Sequence, residues 1–523
     1  MEDAVDPVDE GKQVTTNDQI VLSGGLLADG TGAPLAPGDL LIGGDRILEI
    51  GHFTMPSQIP TIDCTGLIVA PGFIDGHSHS DLQVLENRPE KIAQGVTTEV
   101  VGNCGFSPYP APANSDDLVD FANGLFCGSE RWGWDSAKEY LNAARSAPFV
   151  NVFSLVGHGS LRIWMAGLRQ GALSKRELDA MEQRLAEELQ EGACGFSTGL
   201  MYAPGSSAPR EELEALCAVV ARHDKTYATH MRDYSDRLVE AVDEQIELAR
   251  KTGCRLQISH LQAVGSRNWP LQQVALEKIE RARDAGIDVT FDCYPYICGS
   301  TVLTQLLPQW VLDGGVGPMV ARLSDPELRP KIAARTDADL AQGWNNILIA
   351  AVASPKNQRL VGKSVAEIAF IKGQSPVEAA IDLLIEEAGR VNMLEVNQSE
   401  ANLRQTLSHP LSNVISDGFY VQGRPHPRLS GTFPLLLGEI CLKRGWLTLP
   451  EAIRKITDLP ARRFRIPQRG RLAPGYFADI TVFDPSRVSS PATYENPRLA
   501  PVGIRHVFRN GRRVFGEEEV WTQ

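Results

Sequence analysis

Apolar and polar positions follow two textures along this chain. Near the start, QIVLSGGLLADGTGAPLAPGDLLIGGDRILEIG (19–51) sets short β-branched or Leu-rich runs between Gly, Pro and Asp turns, the texture of strands joined by hairpins. It returns at the other end in RGRLAPGYFADITVFDPSRV (469–488) and IRHVFRNGRRVF (504–515), where Asn510-Gly511 suits a tight turn. Together the ends predict a small β-sandwich domain built from residues 17–69 and 465–523, preceded by a polar, disordered 1–16. The middle, 70–464, alternates strand-like runs with helical stretches, as a parallel α/β sheet does. Eight strand candidates stand in order: GLIVAPGFIDGH, TTEVVGNCG, NVFSLVGHG, ACGFSTGL, TYATHM, RLQISH, DVTFDCYPY and SNVISDG. Between them, KRELDAMEQRLAEELQEG and SDRLVEAVDEQIELARKTG carry apolar residues three and four apart, charged outer positions and a closing Gly. The fold class this predicts is α/β, a (β/α)8 TIM barrel. More than a hundred residues separate the last two strand candidates, too many for one connection. An insertion over about 300–375 is therefore expected before the last barrel strand, covering the mouth of the barrel.

Length and charge narrow the class. A chain of 523 residues exceeds what one small core serves, and 43% hydrophobic with 22% charged residues is ordinary soluble composition. The net charge of −14 argues against nucleic acid or anionic membrane as partners, since both want a basic surface. Nine scattered cysteines without a close-spaced framework fit reduced thiols in a cytoplasmic protein. The acidic start lacks an apolar signal core, and no apolar run nears the ~20 residues of a membrane span. A small-molecule substrate in the cytoplasm is the expectation; a homo-oligomer is left open.

The chemistry gathers at strand ends. Only ten histidines are present, and His77 and His79 form an HxH pair closing the first strand candidate. Side chains at i and i+2 of a strand point the same way, so both imidazoles can meet one metal. Cys104 closes the second candidate, His230 the fifth, His260 the sixth and Asp417 the eighth. All such ends open on one face of a (β/α)8 barrel, where its chemistry is done. Thiolate with imidazole suits Zn²⁺, whereas Mg²⁺ or Ca²⁺ wants oxygen donors. Cys104, His230 and His260 leave a fourth position for water, the mark of a catalytic site, and Asp417 is placed to handle its proton. His158 closes the third candidate and is expected in a supporting or packing role as readily as at the site. His52, His223, His409, His426 and His506 show no such placement and are read as surface or structural residues.

These residues sit in motifs that resemble the amidohydrolase superfamily: APGFIDGHSHSD, VVGNCGFSP, GFSTGLMYAPG, YATHMRD, ISHLQAVG, DCYPY, SDGFYVQGRPHPRLSGTFP and LAPGYFADITVFDP. NCGFSP, GFSTGL and HPRLSGTFP narrow the resemblance to the N-acyl-D-amino-acid deacylases (D-aminoacylases). The resemblance implies zinc-dependent hydrolysis of the N-acyl amide bond of N-acyl-D-amino acids. It implies one tight zinc on Cys104, His230 and His260, and a second, weaker position on His77, His79 and Asp417 that Cys104 can bridge. It also implies Asp417 as the catalytic acid/base and Arg428 as the partner of the substrate carboxylate. Tyr294 adds a hydroxyl contact or packs at the rim. Gln262 stands where the family commonly has lysine, so a cation is missing from the expected substrate-binding set. The carboxylated lysine of many binuclear relatives has no counterpart, because the fourth strand reads GFSTGL. The alternatives at this stage are another amidohydrolase activity, such as a cyclic amidase or an amidase on bulkier N-acyl amino acids, and a non-catalytic barrel scaffold.

Overall fold

The computed structural model describes residues 19–53, 58–126 and 133–516; the expected disordered segment 1–16 lies outside them. All eight strand candidates enter one parallel sheet in chain order: Phe73–Asp75, Val96–Val101, Asn151–Gly157, Gly195–Gly199, Thr226–His230, Arg255–Ile258, Val289–Cys293 and Ser412–Val414. Strands of this kind are covered on both faces, which is why VTTEVV is buried at every position. The first and last strands meet just beyond their ends. There Ser78 bridges Gly418, and Asp417 N–H donates to the His77 carbonyl at 2.9 Å. This seam closes the barrel at its C-terminal rim, among the candidate site residues.

The helices form where the pattern places them. Lys175–Gln190 starts at a capping box between Ser174 and Glu177, which satisfies orphan N–H groups of the first turn. Its Met181, Leu185 and Leu189 face inward into the cluster shared with Leu213, Leu216 and Phe196. Leu238–Thr252 ends at Gly253 with φ 75°, a left-handed cap that glycine adopts without a Cβ clash. Below the site, Ile74, Val100, Leu155 and Ala228 meet Phe464 and Ile466 and fill the barrel floor.

Two boundaries differ from the sequence expectation. The first strand candidate is two strands: Ile68–Pro71 pairs with Gln19–Leu27 and Ile480–Phe483 in the terminal sheet, and only Phe73–Asp75 enters the barrel. Between them a Cβ on Gly72 would lie 2.2 Å from Thr97 Oγ1, so glycine lets the two layers touch. The terminal sheet has eight strands drawn from both chain ends, and Leu22, Leu40, Ile42, Val69, Ile480 and Phe508 share its core. The insertion is also longer than expected. A three-stranded sheet of Cys298–Val302, Ile347–Val352 and Val391–Val396, with helices 316–324, 329–339, 365–372 and 376–386, encloses its own core around Leu303, Met319, Ile349 and Ile381. It therefore runs from 298 to 396 rather than stopping near 375, because Val391–Val396 is the strand that completes its sheet.

Candidate metal centre and active site

The six candidate ligands converge. His77 Nε2 lies 3.3 Å from Cys104 Sγ and 3.3 Å from Asp417 Oδ1, and His79 Nε2 is 3.4 Å from the same oxygen. Cys104 Sγ is 3.6 Å from His260 Nε2, which is 3.1 Å from His230 Nδ1. Two triads whose donor atoms lie within 4.8 Å of one another result, His77–His79–Cys104 and Cys104–His230–His260. Cys104 belongs to both.

Most of these residues lie just past a strand, not on it. The first strand ends at Asp75, the second at Val101, the sixth at Ile258 and the eighth at Val414; only His230 is a strand residue. The side chains reach the mouth because the backbone turns sharply. Cys104, His260 and Asp417 have φ of 52°, 34° and 50°, a left-handed conformation that costs a non-glycine residue about 1–3 kcal/mol. Three of the eight positive-φ non-glycine residues described are thus candidate ligands, and such strain concentrates where function requires a geometry.

The charges oppose burial. Burial pushes the Cys104 thiol up, but His77, His230 and His260 outweigh it and hold it well below the ordinary thiol range. Burial likewise raises Asp417, yet Arg428, His77 and His79 keep it well below the usual carboxylate range. Burial lowers His230 to about 4, so that imidazole stays neutral and keeps a lone pair for a metal. Thiol sulfur, imidazole and carboxylate crowded at 3.1–3.6 Å are the donor set of zinc rather than of Mg²⁺ or Ca²⁺. On the outer side, His79 Nδ1 and His260 Nδ1 have no hydrogen-bond partner, and His77 Nδ1 is 3.5 Å from Asp292 Oδ1.

The expected substrate contacts line the same cavity of about 780 Å³, which opens between the barrel mouth and the insertion. Arg428 Nη1 is 3.0 Å from Asp417 Oδ2 and Nη2 donates to the Ser300 carbonyl at 3.1 Å. The guanidinium lies over the Tyr294 ring, 4.6 Å from its centre. Its Nε makes no hydrogen bond and Nη1 has only the ion pair with Asp417, so a buried cation keeps donor capacity at the cavity wall. Tyr294 Oη donates to Gln262 Oε1 at 3.1 Å, and Gln398 Nε2 donates to the same oxygen at 2.8 Å. The amide NH2 of Gln262 is what remains for a ligand. His158 is not in this cavity: its Nε2 meets Glu212 at 2.8 Å beside Arg162.

Sequence reasoning passed over four residues. Asp292, inside the DCYPY motif, accepts His260 N–H at 2.6 Å and Gln257 Nε2 at 2.8 Å while facing His77. Its place at the seventh strand end was a usable signal. His426 was read as surface or structural, but it is buried, bonding the Cys298 carbonyl at 2.9 Å and accepting Arg428 N–H at 2.9 Å. Its ring packs edge-on against Tyr296 and Tyr494. Tyr234 packs edge-on to His230 and accepts from Met231 N–H. Glu395, from the insertion, contributes a carboxyl group to the cavity.

Fold, strand-end donors and cavity define a class, and the chain belongs to the amidohydrolase family, whose model matches residues 60–515. Within it, the chain is 37% identical to an N-acyl-D-glutamate deacylase of Alcaligenes xylosoxydans xylosoxydans over 95% of its own length and 93% of the relative's. It is 36% identical to a D-aminoacylase of the same organism, covering 95% of each chain. Among solved structures, an N-acyl-D-glutamate deacylase from Bordetella bronchiseptica, complexed with zinc and a phosphonate mimic of the tetrahedral intermediate, superposes with a TM-score of 0.82. It shares 35% identity, with 95% of this chain and 96% of that one covered.

Proposed function

We propose that this protein is a zinc-dependent deacylase that hydrolyses the N-acyl amide bond of N-acyl-D-amino acids, releasing a carboxylate and the free amino acid. The observation that carries the reading is the joint placement of a thiolate–imidazole–carboxylate cluster and a buried, incompletely bonded arginine in one cavity. The relatives named above, which act on N-acyl-D-amino acids, supply the substrate class and its chirality. Cys104, His230 and His260 would hold the tight zinc, and His77, His79 and Asp417 a weaker second position. Zinc held there supplies Lewis acidity and brings the ionisation of a water close to neutrality.

The chain's own groups do the rest. Asp417, kept ionised by Arg428, His77 and His79, takes a proton at its carboxylate and later gives it to the leaving amine. The planar fork of Arg428 grips the substrate α-carboxylate, a match that a lysine could not reproduce bidentately. Gln262 and Tyr294 add neutral hydrogen bonds beside it. Eight buried, unpaired cysteines among the described residues fit a reducing cytoplasmic compartment. Parallel assays of N-acetyl-D- and N-acetyl-L-methionine test the reading: turnover confined to the D form is expected, and equal or exclusive L turnover overturns it.

A further inference from the structure

The cavity wall supplied by the insertion carries one carboxyl that has no salt-bridge partner among the described residues. Five carboxylates line the cavity. Asp233, Asp236, Asp339 and Asp417 each have an arginine within 4.0 Å. Glu395 has no Lys, Arg or His nitrogen within that distance among the described residues. Each of the four cavity arginines is in turn matched by a carboxylate. The cavity group left without an ion-pair partner is therefore a carboxyl, and Gln262 of the same cavity, where the resemblance implied a lysine, is neutral.

The position of Glu395 says which part of a substrate meets it. On the insertion sheet it is paired with Gly299, next to Ser300, whose carbonyl holds Arg428. A Cβ on Gly299 would lie 3.1 Å from Glu395 Oε1, so the absence of a side chain there keeps the carboxyl accessible from the Arg428 side. Gln342 Nε2 fixes the other oxygen at 2.6 Å. Burial pushes Glu395 up to about 7, outweighing Asn397, Arg428 and His260, and an incoming cation beside it would favour the ionised form.

Resting on the deacylase reading, we propose that Glu395 is a specificity-determining residue that receives a cationic side chain of the amino acid. The preferred substrates are then N-acyl-D-amino acids with a basic side chain, such as those of D-lysine, D-ornithine or D-arginine, not acidic ones. With the α-carboxylate on Arg428, the side chain borne by the same carbon is the group that can reach the Gly299–Glu395 wall.

The test is kcat/KM of the zinc-loaded protein on N-acetyl-D-lysine, N-acetyl-D-norleucine and N-acetyl-D-glutamate, in wild type and in Glu395→Gln. Lysine and norleucine have similar length and differ in charge. The expected wild-type order is lysine, norleucine, glutamate, with lysine ahead of norleucine by about tenfold or more, the worth of one charge-assisted hydrogen bond. The lysine-to-norleucine ratio falls by about the same factor in Glu395→Gln. Turnover of norleucine or glutamate at or above that of lysine overturns this proposal and leaves the deacylase reading standing. A ratio that Glu395→Gln does not move overturns the role of Glu395. Should none of the three be hydrolysed, the deacylase reading fails and this proposal fails with it. If Glu395→Gln does not fold, the wild-type order alone decides.

Discussion

Two buried polar clusters share the seam between the first and last barrel strands, and they are built on opposite plans. In one, Lys91 Nζ meets Asp75 at 2.5 Å, Ser416 at 2.5 Å and Ser78 at 3.3 Å, and Ser78 in turn donates to Glu99 at 2.6 Å. One cation serves two carboxyl groups, and no polar side-chain atom of these five residues is left without a partner. In the other, Cys104, four imidazoles and Asp417 press donor atoms of like character together, while outer nitrogens of His79 and His260 go unbonded. The two interleave in sequence: in GHSHS, His77 and His79 face one cluster and Ser78 and Ser80 the other. A cluster that satisfies itself ties strands together. A cluster that does not, and that sits on strained backbone, needs a ligand to complete it.

The comparison can be broken from either side. Asp417→Asn should lower kcat by about 10²–10⁴-fold, the usual share of a positioned acid/base, with far-ultraviolet circular dichroism unchanged; a change confined to KM would contradict its role. Lys91→Met should do the reverse. It leaves the Asp75 and Glu99 carboxylates buried without their cation, a loss of about 3–5 kcal/mol, read from denaturant unfolding, while zinc content of the folded protein is retained. Arg428→Met should reduce kcat/KM by roughly ten- to a hundredfold, one to two charged hydrogen bonds, and the loss should shrink on an N-acyl amine that lacks the carboxylate.

A third cluster, His158–Glu212–Arg162, sharpens the contrast through pH. Burial lowers His158, outweighing Glu212; Glu212 is itself lowered because His158 and Arg162 outweigh its burial. Both folded-state values thus lie below the unfolded ones, 6.5 and 4.5, and the unfolded chain takes up protons first as pH falls. The cluster's full contribution is present above about 6.5 and is lost progressively on acidification, with a slope of at most about 1.4 kcal/mol per pH unit for each proton. Melting temperature against pH should show a shallower fall between about pH 6.5 and 5 in His158→Asn; an unchanged slope would contradict the assignment.

The barrel and the convergence of the candidate ligands were legible because a parallel strand is a short apolar run, and in this chain a conspicuous His, Cys or Asp stands at or within a few residues of its end. The insertion limit was not legible, since ILIAAV and VNMLEV read like barrel strands and only their antiparallel pairing separates them. His158 illustrates the limit of the strand-end rule. It follows its strand as closely as His260 does, but it opens a helix and turns to Glu212. Asp292 meets Gln257 and His260 from the neighbouring strand, and His426 reaches the Cys298 carbonyl of the insertion, pairings that spacing along a chain does not encode. Glu395 lies on an element whose sheet sequence reasoning did not find.

The most direct measurement is reconstitution: strip the protein with a chelator, titrate zinc back, and follow hydrolysis of N-acetyl-D-norleucine and its L isomer. The account predicts activity on the D substrate alone, rising to its full value at about one zinc per chain. A stripped protein as active as the loaded one, or a zinc-loaded protein inert toward every N-acyl-D-amino acid offered, would contradict it.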